Sequence, residues 1–219
     1  MWSDQVISMM IQGIWETIYM TVISTFAGYV IGLPMGIALT VTDKDGIRPN
    51  AAVYKILDVI SNLVRSIPFI ILLVILIPFT RLVAGQSYGS KATIVPLVIA
   101  AAPYIARMVE SSLKEVDPGV IEAARSMGAS DVTIIVKVML VEARTSLIVG
   151  ATIALGTILG YSAMSGTVGG GGLGAIAIRY GYTRWQTDIL VASVILLMIL
   201  FQIFQTIGMK LADKSDRRK

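Results

Sequence analysis

Residues 17–42 read TIYMTVISTFAGYVIGLPMGIALTVT, 26 positions without a charged side chain. About 20 such residues carry an α-helix across the ~30 Å hydrocarbon core of a bilayer, so this stretch crosses with room to tilt. The rest of the chain has the same character. Of its 219 residues, 55% are hydrophobic and 15% charged, against about 25% charged in a soluble domain, and the mean hydropathy is +0.78. That apolar excess has to face lipid. Charge-poor windows at 66–84 (with Arg81 snorkelling at its end), 92–112, 145–165 and 189–209 supply four further spans. The expectation is an all-α membrane protein of about five transmembrane helices, with residues 1–219 forming one transmembrane domain.

Basic residues orient the spans, because Lys and Arg accumulate on the cytoplasmic side. Lys44, Arg48, Lys55 and Arg65 follow the first span, Arg65 standing at the mouth of the second. Arg107, Lys114, Arg125, Lys137 and Arg144 lie between the third and fourth, and Lys210, Lys214, Arg217, Arg218 and Lys219 close the chain. The opposite side holds only Arg81, Lys91, Arg179 and Arg184 of the 18 Lys and Arg residues. This places the N-terminus outside and the C-terminus in the cytoplasm, where the basic tail anchors near anionic headgroups. The first residues carry only Asp4 and Glu16 as charges and do not read as a signal peptide.

Several chemistries are excluded. With no Cys and no His, the chain has no disulfide, thiolate nucleophile, imidazole base or zinc finger. It has no G-x-x-x-x-G-K-[ST] phosphate loop, so any nucleotide belongs to a partner. No charged residue falls clearly at mid-membrane, which argues against ion-coupled transport. Within the spans, Gly28, Gly32 and Gly36 form overlapping G-x-x-x-G steps, repeated by Gly156 and Gly160. Such small-residue stripes let helix backbones approach closely, within the chain or between copies. Pro68, Pro78, Pro96 and Pro103 are expected to interrupt the second and third helices. The run 169–174, GGGGLG, has no preceding strand and is read as a flexible loop or re-entrant segment, not a dinucleotide fold.

The longest cytoplasmic connection, 113–144, is patterned. Asp117 caps a short helix with Pro118 at its first position, and Gly128 suits a left-handed stop. Ser130 caps a second helix, with Asp131 in its first turn and Val132, Ile135, Val136 and Met139 at helical spacing. Ala123, Ala124 and Gly128 present a small-residue surface that lets another protein approach; the alternative is a hairpin lying on the headgroups.

Here the residues resemble a known family. Glu122-Ala123-Ala124, three residues, Gly128, then Val138 and Leu140 are similar to the EAA loop of bacterial ABC importer permeases. Valine replaces the usual isoleucine at Val138, and Val141 stands where proline is usual. The stretches 65–73 (RSIPFIILL), 101–110 (AAPYIARMVE) and 160–164 (GYSAM) with the glycine run after it resemble the methionine-importer permeases of that family. The resemblance implies the type I importer architecture, a homodimer in the bacterial inner membrane. Two ATP-binding subunits that use ATP and Mg would sit beneath it, and an extracytoplasmic substrate-binding lipoprotein would deliver methionine, in the L form and with the D form left open. Glu122, Ala123, Ala124 and Gly128 would then couple to the ATPase. This chain would bind no cofactor, contact no nucleic acid and catalyse nothing itself. For the substrate path, Tyr161, Ser162 and Met164 supply aromatic and thioether groups suited to a polarizable side chain. The alternatives are a permease of the same architecture for another amino acid or small nutrient, an ion-coupled carrier, and a non-transporting scaffold.

Overall fold

The computed structural model describes residues 4–216; Arg217, Arg218 and Lys219 of the basic tail lie outside the described residues. The described residues are almost entirely helical. Helix α1 (Asp4–Thr42) begins well before Thr17, because the preceding apolar residues continue the helix past Glu16. At 39 residues it is about 58 Å long. A tight loop then leads to α2 (Ala51–Ser66), capped by Asn50, whose side chain accepts from the Val53 N–H.

The second expected span is not one helix. Pro68 forces Ile67 into extended backbone, and the chain bends by 101° between α2 and α3 (Phe69–Ile75). A further break at Leu76 separates α3 from α4 (Ile77–Ala84), whose first turn contains Pro78. Pro96 and Pro103, expected to interrupt, lie within one continuous helix, α5 (Ser90–Lys114). Its neighbours hold the backbone in place around the two missing N–H groups.

The connection that follows carries α6 (Pro118–Ser126) and α7 (Asp131–Thr133), which passes through a π-helical stretch, Ile134–Met139, into α8 (Leu140–Glu142). Helix α9 (Arg144–Ser165) leads through a 3₁₀ turn to the glycine run, α10 (Gly172–Ile176) and a second π segment, Ala177–Tyr182; α11 (Thr187–Ser215) closes the fold. Helices α1, α5 and α11 and the run Arg144–Tyr182 are long and apolar enough to cross a membrane, and the bent pair α2–α3 makes a fifth candidate if the two helices count as one broken span.

The centre of the bundle is the α1–α5 pair. Its close approach explains the glycine stripe. A Cβ on Gly32 would stand 2.6 Å from the Ala102 carbonyl oxygen, and one on Gly36 2.5 Å from that of Ala106. The stripe thus serves packing within the chain. Gly156 packs on Phe201 of α11, whereas Gly160 meets nothing within 4 Å.

The glycine run is a pinned turn, not a loose loop. Gly169, Gly171 and Gly172 have φ of 82°, 90° and 73°, a region that side chains with a Cβ disfavour. The Glu16 carboxylate accepts from the Gly172 N–H at 2.7 Å and Thr17 Oγ1 from the Leu173 N–H at 2.9 Å. Two further bonds reach the start of α5, from the Gly89 N–H to the Gly169 carbonyl and from the Thr93 hydroxyl to that of Gly170. The sequence offers no local signal for these contacts, since Glu16 and Gly172 are 156 positions apart.

Candidate functional site

Helix α6 is closed at both ends by local chemistry. The Asp117 carboxylate accepts from the Gly119 N–H at 2.7 Å. At the other end the Ala129 N–H reaches the Ala124 carbonyl at 3.1 Å and the Gly128 N–H that of Arg125 at 2.9 Å. This is a Schellman motif, and Gly128 at φ 80° makes it accessible. Ser130 Oγ then accepts from the Thr133 N–H and starts the next helix.

The E-A-A face divides in two. Ala124 is buried in the core with Ile134 and Met139, so its smallness serves packing within the chain and not the surface expected of it. Glu122, Ala123 and Gly128 are exposed on the other side. The Glu122 carboxylate makes no hydrogen bond or ion pair with another described residue. It borders a cavity of about 540 Å³ lined also by Asp43, Lys44, Lys114, Ile121 and Arg125.

The apolar face of the second loop helix also differs from its expected register. Val132 and Val136 are 70% and 52% exposed, while Ile134 and Met139 are buried. The π stretch explains this: i→i+5 bonding widens the turn and aligns residues five apart.

The loop is held against the rest of the chain by contacts that local spacing does not reveal. Arg125 donates to the Ile47 carbonyl at 2.9 Å, and Arg48 pairs with Asp131 at 2.9 Å. Deeper in, an ionic chain joins three elements. Arg107 pairs with Asp58 of α2 and with Glu110 (2.7 Å), and Lys114 pairs with Glu110 (2.8 Å) and Asp43 (2.6 Å). Arg107 and Glu110 lie three residues apart on the same helix. The hydrogen bond from Lys114 holds the Asp43 carboxyl below the usual carboxylate range.

The three path residues have different surroundings: Ser162 lies on a different face of α9 from Tyr161 and Met164, which are three residues apart. Tyr161 is half-buried and stacks on Phe69, ring centroids 4.3 Å apart. Ser162 is buried and donates to the Leu159 carbonyl. Met164 is exposed. Tyr161 lines a pocket of about 190 Å³ with Arg65, Phe69, Leu72, Ala100 and Tyr104 among others. Arg65, at the end of α2, is exposed and borders this pocket beside Ala100 and Tyr104 of α5.

Comparison with known proteins agrees with this arrangement. Residues 28–218 match the family model described as binding-protein-dependent transport system inner membrane component. A probable D-methionine transport system permease protein MetI of Vibrio cholerae serotype O1 is 46% identical over 204 residues, 93% of this chain and 91% of that protein. The D-methionine transport system permease protein MetI of Escherichia coli K12 is 52% identical over 164 residues, 75% of this chain and 76% of that protein. A chain from the inward-facing MetNI methionine ABC transporter superposes with a TM-score of 0.97 at 47% identity, covering 99% of this chain and 100% of its own. This chain therefore belongs to the family of inner-membrane components of binding-protein-dependent transport systems.

Proposed function

We propose that this chain is the permease subunit of an ATP-driven importer that brings methionine into the cytoplasm by alternating access. The observation that carries this reading is helix α6: rigidly capped, seated on its own chain through Ala124, and presenting the unpaired Glu122 carboxylate outward. A rigid lever with an unsatisfied charge at its exposed face suits transmission of motion from a partner. The partner in this reading is an ATP-binding subunit, two per assembly, which holds ATP and Mg. Two copies of the permease sit side by side in the bacterial inner membrane, and a lipid-anchored binding protein delivers substrate from outside. The N-terminus is outside, and the loop bearing α6 and the C-terminus are cytoplasmic. Residues 1–219 act as one transmembrane domain.

In the cycle, nucleotide closes the ATPase pair, draws the two α6 helices together and opens the bundle outward; hydrolysis resets it. The ligand shifts this equilibrium only by favouring one state, and Glu122, Ala123 and Gly128 are where that differential contact is made. The test is uptake of labelled methionine into proteoliposomes holding the complete transporter, with ATP or a non-hydrolysable analogue inside. Uptake that requires hydrolysis and is competed by unlabelled methionine supports the reading. Binding-protein-dependent hydrolysis with methionine left outside refutes the substrate, and uptake driven by an ion gradient alone refutes the class. Glu122→Lys abolishes uptake while leaving membrane insertion intact.

A further inference from the structure

The importer reading leaves the position of Arg65 unexplained. It sits in the last turn of α2 beside the Pro68 bend. Its guanidinium makes no hydrogen bond or ion pair with any other described residue. It shares a pocket with Ala100 and Tyr104, at the centre of α5. Arg107, nearer the end of the same helix, has Asp58, Glu110 and Asn62 around it. In the single chain Arg65 is exposed, so its guanidinium is open to a solute that enters this pocket.

The other walls are aromatic and apolar. Phe69 and Tyr161 stack nearly parallel, 9° between planes, with Tyr104 and Leu72 beside them. At about 190 Å³ the pocket is well below the ~300–1,000 Å³ of sites for drug-sized ligands, a scale suited to one amino-acid side chain. We propose that Arg65, Phe69, Tyr104 and Tyr161 form a transient holding site for the zwitterionic amino acid in transit. The guanidinium takes the α-carboxylate through a charge-assisted, bidentate contact, and the aromatic walls take the thioether, for which sulfur–aromatic contact is favourable. Selection is then exercised within the membrane as well as by the binding protein. This inference rests on the importer reading above.

The test uses the permease–ATPase complex in nanodiscs without the binding protein and reads the difference between wild type and variants, which isolates the transmembrane site. Labelled methionine is displaced by unlabelled methionine, by 3-(methylthio)propylamine, which lacks the carboxylate, and by norleucine, which lacks the sulfur. In the wild type the amine competes at least about tenfold more weakly than methionine, the loss of a hydrogen-bonded charge contact. Arg65→Gln closes that gap, Arg65→Lys retains part of it, and Tyr161→Leu removes the preference for methionine over norleucine, roughly threefold in the wild type. Co-purification with the ATPase and an unchanged elution volume show that the variants are assembled. An Arg65→Gln complex that keeps the carboxylate preference overturns the proposal, as does a wild type without saturable binding. Should Arg65→Gln fail to assemble, the Arg65→Lys and Tyr161→Leu arms decide it in the same way. Loss of ATP-driven methionine uptake in the wild type instead refutes the underlying reading, and is scored separately.

Discussion

At the scale of single residues, identical types have opposite roles according to what lies across from them. Gly32 faces the Ala102 carbonyl, while Gly160 faces open space. Gly32→Ala forces α1 and α5 apart and costs about 1–3 kcal/mol, lowering the unfolding temperature of the detergent-solubilised protein. Gly160→Ala leaves that temperature unchanged or raises it, since alanine is the better helix former by about 1 kcal/mol. Asp43 supplies a pH test. Its carboxyl is held below the ordinary range by Lys114, so its contribution is fully present above the unfolded carboxylate pKa and disappears as pH falls through the lower folded value. Melting temperatures of the wild type and Asp43→Asn therefore differ at neutral pH and converge in acid.

At the scale of elements, the connection from α6 to α8 shows how far local pattern reaches. Its caps were readable because each bond joins residues two to five apart: Asp117 to Gly119, Ser130 to Thr133, Ala124 to Ala129. The buried face of the second helix was readable only in part: helical spacing selects Val132, Ile135, Val136 and Met139, of which Met139 is buried, whereas the π stretch turns Ile134 inward and leaves Val132 and Val136 exposed. Ile134→Ala accordingly destabilises by about 2–5 kcal/mol through an unfilled cavity, while Val132→Ala stays within about 0.5 kcal/mol. Thermal unfolding of the two variants side by side checks the register. Equal losses would falsify it.

At the scale of the whole molecule, the ionic chain ties α2, α5 and the loop after α1 into one unit at the end of the bundle that carries α6. The side chains of Glu110 and Arg107 are 6% and 18% exposed, so removing one partner strands the others. Arg107→Met costs on the order of 3 kcal/mol by leaving Asp58 without its cation and Glu110 with Lys114 alone. Adding Asp58→Asn recovers part of that loss, and a double-mutant cycle on thermal stability measures the coupling. Additive effects would show that the chain is a set of independent surface pairs.

Composition, charge distribution and local capping were enough to determine that the chain is a helical membrane protein and that a capped helix interrupts the longest polar connection. These properties depend on the water–lipid partition of each segment and on bonds between near neighbours. Only the tertiary structure decided that the glycine stripe packs within the chain, that Ala124 turns inward while Glu122 stays free, that the second span is bent at Pro68, and that Arg65 borders an aromatic-walled pocket with Tyr104 and Tyr161. Each of these depends on which helix lies against which and at what height, and such pairings join residues far apart in the chain.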